Sequence, residues 1–396
     1  MEVIYLIGIA EAVFLTLLIF SKKNKSDSDI VLAAWLLFIG IELLFYYFFY
    51  TQYDLAHPHL LGIGVYFPIL QGPFMFVYVS IMISERGRFK RSYILHAIPF
   101  LVISIYAIFD FYILSAGEKL IYYNEIVKSP PLLYAIGNNL NIILGPIYII
   151  WSLLVLRKHA KNITSNFSYT ERINLNWLKY VLFSLGLIWV TVIVVVTLDN
   201  ILHIIPEDFA SQYIFISISI AVFLLGYFGF KQQSIYTDIP IESARVAIKQ
   251  HARKEQQQEQ EIKVDSFRQH AKRYGKSGLK DEDADLFLNK LLIYMEDEKP
   301  YLDNRLSLKQ LAELIDLTTN HLSQIINEKL NKNFFDFINE YRIKEVKQNL
   351  SNPKLQHYTL LAIAFQSGFN SKSSFNDIFK KNTGLTPSEY QKNLKS

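Results

Sequence analysis

Cysteine is absent from this 396-residue chain. That absence excludes a disulfide scaffold, a thiolate zinc site and a cysteine nucleophile together. Charge is scarce as well, but only in one part. Residues 1–230 hold 14 basic and 14 acidic side chains, 28 of 230 or about 12%. Residues 231–396 hold 26 and 22, 48 of 166 or about 29%. Soluble domains run near about 25% charged, so the first part has the composition of a membrane domain and the second that of a soluble one. Hydrolytic constellations are missing too: there is no HExxH, no GxSxG and no pair of aspartates inside an apolar run. An intramembrane protease or hydrolase has nothing to work with. No enzymatic activity, cofactor or metal is expected.

An apolar run needs about 17–25 residues to cross roughly 30 Å of hydrocarbon. Seven such runs fall at about 3–20, 30–50, 60–84, 93–114, 132–156, 177–198 and 209–230. One set of alternate loops carries eleven basic residues: Lys22, Lys23, Lys25, Arg86, Arg88, Lys90, Arg91, Arg157, Lys158, Lys161 and Arg172. The other set carries Lys119 and Lys128. The positive-inside rule then puts the N-terminus outside and everything beyond Phe230 in the cytoplasm. The first run lacks a basic leader and is interrupted by Glu11, so it reads as a span and not as a cleaved signal peptide.

Polar side chains at membrane depth are expensive and therefore candidates for sensing. Glu11, Glu42 and Gln71 fall near the middle of the first three runs, with no Lys or Arg at comparable depth. Two readings stay open: a polar pocket for a small ligand, proton or envelope signal, and interhelical hydrogen bonding without a ligand. His57 and His59 straddle a proline in an outer loop but lack a third ligand. Pro68, Pro73, Pro99 and Pro146 kink helices, and Asn138, Asn139 and Asn141 sit near the outer end of the fifth run.

Residues 231–280 are rich in Gln, Lys, Arg and Glu, with 11 basic and 6 acidic side chains. They read as a solvated linker, or as a segment lying along anionic membrane lipid.

From about Asp281 the pattern becomes short amphipathic helices without strand alternation. ADLFLNKLLIYMEDE places Leu286, Leu288, Leu291, Leu292 and Met295 on one stripe. After Ser307, a plausible N-cap, come LKQLAELI, a turn at Asp316 and TTNHLSQIINEKL. Ala312 followed four residues later by Asp316 has the spacing of a helix-turn-helix over about 307–328. The arrangement recurs over about 360–381, where Ala364 precedes Gly368. FFDFINEYRIKEVKQNLS joins the copies as one helix, with Phe334, Phe337, Ile338, Tyr341 and Val346 inward.

Residues 281–396 thus resemble the DNA-binding domain of the AraC/XylS family of bacterial transcription regulators. The match is densest over 364–390, through Gly368, Phe369, Ser374, Phe375, Phe379, Lys380, Gly384, Thr386, Pro387 and Tyr390. The resemblance implies seven helices, two helix-turn-helix units and recognition helices entering successive major-groove segments of double-stranded DNA. Asn320 with Gln324 on the first such helix, and Lys372 with Asn376 on the second, are then the base-reading pairs. Thr319, His321, Ser323 and Ser373 flank them; Lys380, Lys381 and Arg342 are expected on phosphates. Where the family often has Arg, this chain has Gln324 and Asp377.

The sequence therefore describes an all-α protein. A seven-helix transmembrane sensor bundle (1–230), a linker (231–280) and a DNA-reading domain (281–396) would form a multi-pass inner-membrane transcription regulator. A homodimer on DNA, with RNA polymerase as a further partner, is the expected assembly. A second reading makes the bundle a receptor or transporter whose tail docks a protein partner.

Overall fold

The computed structural model describes residues 2–84, 87–170, 175–202, 207–231, 281–355 and 357–395. Regular structure among them is helical, and the one β feature is an isolated antiparallel bridge between Phe167 and Ser307. The chain divides into two compact units, Met1–Lys158 with Leu175–Asp238 and His159–Asn174 with Ile239–Ser396. A single boundary near residue 230 therefore misses a short internal segment, 159–174, that belongs with the C-terminal unit. The linker expected over 231–280 lies almost wholly outside the described residues.

The longer α-helices of the first unit are α1 (Glu2–Phe20), α2 (Asp27–Tyr50), α3 (Gln71–Met82), α4 (Ile98–Ala107), α5 (Ala116–Lys128), α6 (Leu132–Asn166, its residues from His159 on belonging to the second unit), α7 (Asn176–Leu202) and α8 (Glu207–Lys231). A capping box starts α2: the Ser26 hydroxyl accepts from the Asp29 amide, and the Asp29 carboxylate accepts from the Ser26 amide. Small residues then let α1 and α2 approach, with Ala12 and Ala33 fully buried and the Thr16 hydroxyl donating to the Ala12 carbonyl at 2.8 Å.

Among the described residues four helical stretches are long and apolar enough to cross a membrane: Asp27–Tyr50, Arg91–Tyr112, Leu132–Asn166 and Asn176–Val195. The expectation of seven is corrected to these four. Tyr5–Phe20, Phe67–Met82 and Ile216–Phe228 are apolar but shorter. The third expected run fails for a local reason. Gly62 at φ +74° and a 3₁₀ turn over Phe67–Leu70 containing Pro68 break it, leaving the 12 residues of α3, about 18 Å of helix. The unit's outer surface is apolar, with Phe14, Leu17, Phe109, Ile150, Leu187 and Phe223 all exposed. Such a surface suits lipid and not water.

The second unit has seven α-helices within 281–395 among the described residues, as the resemblance implied. They are α9 (Asp281–Asp297), α10 (Leu308–Leu314), α11 (Thr319–Gln324, prolonged by a π turn to Lys329), α12 (Phe334–Ser351), α13 (Leu360–Gln366), α14 (Lys372–Thr383) and α15 (Pro387–Lys395). Two cores share α12. Its first half buries Phe334, Phe337 and Ile338 with Leu291, Leu311, Leu322 and Ile325. Its second half buries Ile343, Val346 and Leu350 with Ile363, Phe369, Phe375 and Phe379. Leu286, expected on the buried stripe of α9, is 65% exposed, because the inward face runs through Ala284, Leu288, Leu291 and Met295 and Leu286 lies off it; Tyr341 is half-buried.

Both helix-turn-helix units close by the same hydrogen bonds. Leu317 N–H donates to Ala312 O (2.8 Å) and Asp316 N–H to Glu313 O (3.3 Å). In the second copy Phe369 N–H donates to Ala364 O and Gly368 N–H to Phe365 O, both at 3.1 Å. This is the Schellman pattern, which requires a left-handed residue just past the helix: Asp316 has φ +55° and Gly368 φ +91°. Only the second turn is sterically closed. A β-carbon on Gly368 would lie 2.3 Å from the Tyr301 carbonyl oxygen and 2.9 Å from Arg342 Nε. Gly368→Ala should therefore destabilise the second unit by about 2–3 kcal/mol, whereas Asp316→Gly should stabilise it by about 1 kcal/mol by relieving the left-handed residue. Hydrogen exchange of the α10–α14 amides in urea, in the full-length protein, reads both effects.

Candidate nucleic-acid interface and bundle cavity

Side-chain caps set where the second helix of each helix-turn-helix starts. Thr318 accepts from the His321 amide at 3.2 Å and Ser371 from the Ser374 amide at 3.2 Å, so α11 and α14 begin immediately after their turns. Thr319, Asn320, Lys372 and Ser373 are exposed in the first turns; His321, Ser323, Gln324 and Asn376 are half-buried. N-terminal residues of a recognition helix are the ones that reach base edges.

Several of these groups already have partners. Gln324 Nε2 donates to Glu328 Oε2 at 2.9 Å, and Asn327 donates to the Ser323 carbonyl at 2.7 Å and hydroxyl at 3.2 Å. Lys381 Nζ donates to Asp336 Oδ1 at 2.9 Å, tying α14 to α12, while Lys380 is exposed. An exposed pair of this kind is worth at most about 1 kcal/mol, so Lys381 can exchange Asp336 for a phosphate at little expense.

Arg342 departs from expectation. Anticipated on phosphates, it is 2% exposed, the largest fully buried side chain among the described residues. All five guanidinium N–H groups are used, which exhausts its donors. Nε donates to Tyr301 O (2.8 Å), Nη1 to Ser168 O (2.8 Å) and Asn339 Oδ1 (3.2 Å), and Nη2 to Asp303 O (2.7 Å) and Ser168 Oγ (3.0 Å). No carboxylate bonds to it; neutral oxygens solvate the charge. Burial lowers its pKa to about 10, partly offset by the Asp303 charge, so it stays protonated at neutral pH. The sequence pattern missed Ser168 and Asn339 as partners, because neither lies in a motif and Ser168 is 174 residues from Arg342.

In the first unit Glu42 and Gln71 come together and Glu11 does not join them. Trp35 Nε1 donates to Gln71 Oε1 at 2.6 Å, and Gln71 Nε2 donates to Glu42 Oε2. Glu42 is 2% exposed. The three line a cavity of about 220 Å³ whose other walls include Trp189, Met75, Leu185 and Ile218. Asn141, on α6, also lines it and donates to the Val65 carbonyl at 2.9 Å. Glu11 is half-buried and lies off this cavity. His57 stacks on Tyr53, its Nδ1 3.0 Å from the Tyr53 carbonyl oxygen. Among the described residues no three His, Asp or Glu side chains are grouped to hold a metal.

A buried Arg342 and an exposed Lys380 should behave differently on DNA. Lys380→Ala should reduce the salt slope of duplex binding by about one. Arg342→Lys should leave that slope unchanged and destabilise the unit by about 2–3 kcal/mol through unmade hydrogen bonds. Titrations of duplex binding at several salt concentrations, with urea unfolding of the same variants, check this.

Comparison with known proteins places similarity in the second unit. The family described as "Helix-turn-helix domain" matches residues 311–393. Over 86 residues the chain is 37% identical to an uncharacterised HTH-type transcriptional regulator of Staphylococcus aureus (strain COL), covering 22% of this chain and 11% of that protein. Identity to the HTH-type transcriptional activator AarP of Providencia stuartii is 30% over 104 residues, which is 26% of this chain and 73% of AarP. The chain thus spans about a tenth of the length of the Staphylococcus aureus regulators it matches. A solved protein of unknown function from Listeria innocua is 30% identical, covering 26% of this chain and 94% of that one, with a TM-score of 0.24.

Proposed function

Because the chain belongs, through its C-terminal domain, to the helix-turn-helix transcription regulators of the AraC type, we propose that it is a membrane-anchored regulator that reads duplex DNA with both helix-turn-helix units and takes its signal from the helical bundle. Its chemistry is binding, not catalysis.

The observation that carries this reading is the pairing of two turns that share one hydrogen-bond pattern and are joined by one helix, α12. Each turn presents an i, i+4 pair from its following helix, Asn320 with Gln324 and Lys372 with Asn376. Asn and Gln suit adenine, and Lys suits the O6 and N7 of guanine. An 18-residue α12 is about 27 Å long, of the same order as the roughly 34 Å rise of one DNA turn. From Leu317 onward the domain has 11 basic and 6 acidic residues, so phosphate attraction favours this half.

Four long apolar helices support anchoring in a bilayer. DNA reading requires the second unit to lie in the cytoplasm of a bacterial cell, at the inner membrane. Residues 159–174 share that unit, which agrees with the basic loop holding Lys161 and Arg172 being inside. Two copies on adjacent half-sites gain effective concentration from the shared membrane, and RNA polymerase is the natural further contact for an activator. The cavity at Trp35, Glu42 and Gln71 is the proposed sensing site. Its apolar walls and carboxylate suit a small apolar ligand carrying a hydrogen-bond donor.

Lys372→Ala combined with Asn376→Ala should lower binding to a selected duplex at least about tenfold, since one good bidentate contact is worth about 1–3 kcal/mol. Unchanged duplex binding with a lost protein partner would instead favour a docking tail. Glu42→Gln should leave the protein inserted and alter promoter output. A reporter unaffected by Glu42→Gln across growth conditions would remove the cavity from the signal path.

A further inference from the structure

One polar socket in the second unit is filled by a part of the chain far from it in sequence. Ser168 is 1% exposed. Its N–H and Oγ–H both donate to the Leu306 carbonyl, at 3.2 and 2.6 Å. Its carbonyl accepts from Arg342 Nη1 at 2.8 Å and Asn339 Nδ2 at 3.2 Å, and its hydroxyl accepts from Arg342 Nη2 at 3.0 Å. The preceding residue, Phe167, forms an antiparallel bridge with Ser307. Every polar atom of Ser168 is used, and the contacts lie 138–174 residues away along the chain. Incidental contact between a loop and a domain surface would not satisfy a buried guanidinium.

We propose that residues 167–169 are a docking peptide for the DNA-binding domain, seated in a socket made by Leu306, Asn339 and Arg342. Ser307 caps α10, the first helix of the first helix-turn-helix, and Arg342 lies on α12, which carries both units. Residue 168 comes just after Asn166, the last residue of α6. A shift of that helix end is therefore delivered to the origin of the first reading unit without passing through residues 231–280. The domain is held at two places, by its covalent linker and by this seat. The inference concerns where the domain is held, and does not depend on which DNA it binds.

The cysteine-free chain allows a clean test. Residues of an antiparallel bridge have Cα atoms about 4.5–5.5 Å apart, inside the roughly 4.4–6.8 Å a disulfide spans. Full-length protein carrying Phe167→Cys and Ser307→Cys, with a protease site inserted between residues 250 and 260, is oxidised in membranes and then cleaved. The expected result is a single non-reduced band that reductant splits into two fragments. Two separate bands without reductant, with both cysteines open to maleimide, would overturn the proposal. If the double variant does not accumulate, hydrogen exchange of the unsubstituted protein decides. Protection of the Ser168 amide, lost about tenfold in Ser168→Ala as expected for removal of hydrogen bonds to a charged group, supports the seat. A Ser168 amide that exchanges at the rate of an unprotected peptide removes it.

Discussion

The second unit depends on keeping one buried positive charge solvated by oxygens. Arg342 has five N–H groups and no carboxylate bonded to it, so five acceptor contacts must converge on it. They come from Ser168, Tyr301, Asp303 and Asn339, four places on three stretches of chain. Gly368 approaches so closely that a side chain there would strike both Nε and the Tyr301 carbonyl. The turn of the second helix-turn-helix, the segment entering the first, and the connecting helix therefore meet at one group. Leaving a buried charge unpaired is among the most expensive defects a fold can hold, about 3–5 kcal/mol. That ties the relative placement of the two reading units to a single side chain.

The charge of the reading half is accordingly not all available to DNA. Arg342 is internal; Lys381 is held by Asp336, Lys344 by Glu296 and Lys332 by Glu340. Lys372 and Lys380 stay exposed at the start and end of the second reading helix. Exposed pairs are weak and exchangeable, so the surface has a modest standing field and a larger reserve that phosphates can recruit.

In the first unit the same logic applies to a buried carboxylate. Glu42, Gln71 and Trp35 satisfy one another in a chain of hydrogen bonds beside an otherwise apolar cavity. Buried polar groups are tolerated when they find partners inside a helical bundle. Glu11, on a more exposed face of α1, has no place in that chain.

Much of this was legible in the sequence because it depends on local chemistry. The Ala312/Asp316 and Ala364/Gly368 spacings, the Ser307 cap and the aromatic stripe of α12 determined two closed turns and the helix between them. The charge contrast at residue 230 separated an apolar part from a DNA-reading part. Tertiary structure alone decided three matters. Among the described residues four stretches are long and apolar enough to cross a membrane where seven runs were expected, and turn geometry around Gly62 and Pro68 shortens one of the others in a way average hydropathy does not register. Glu42 and Gln71 met while Glu11 stayed apart, because helix rotation sets which face points inward. Arg342 went inside to meet Ser168, 174 residues away. Residue type and periodicity carry propensity over a few turns, whereas a contact across that distance exists only once the chain has folded.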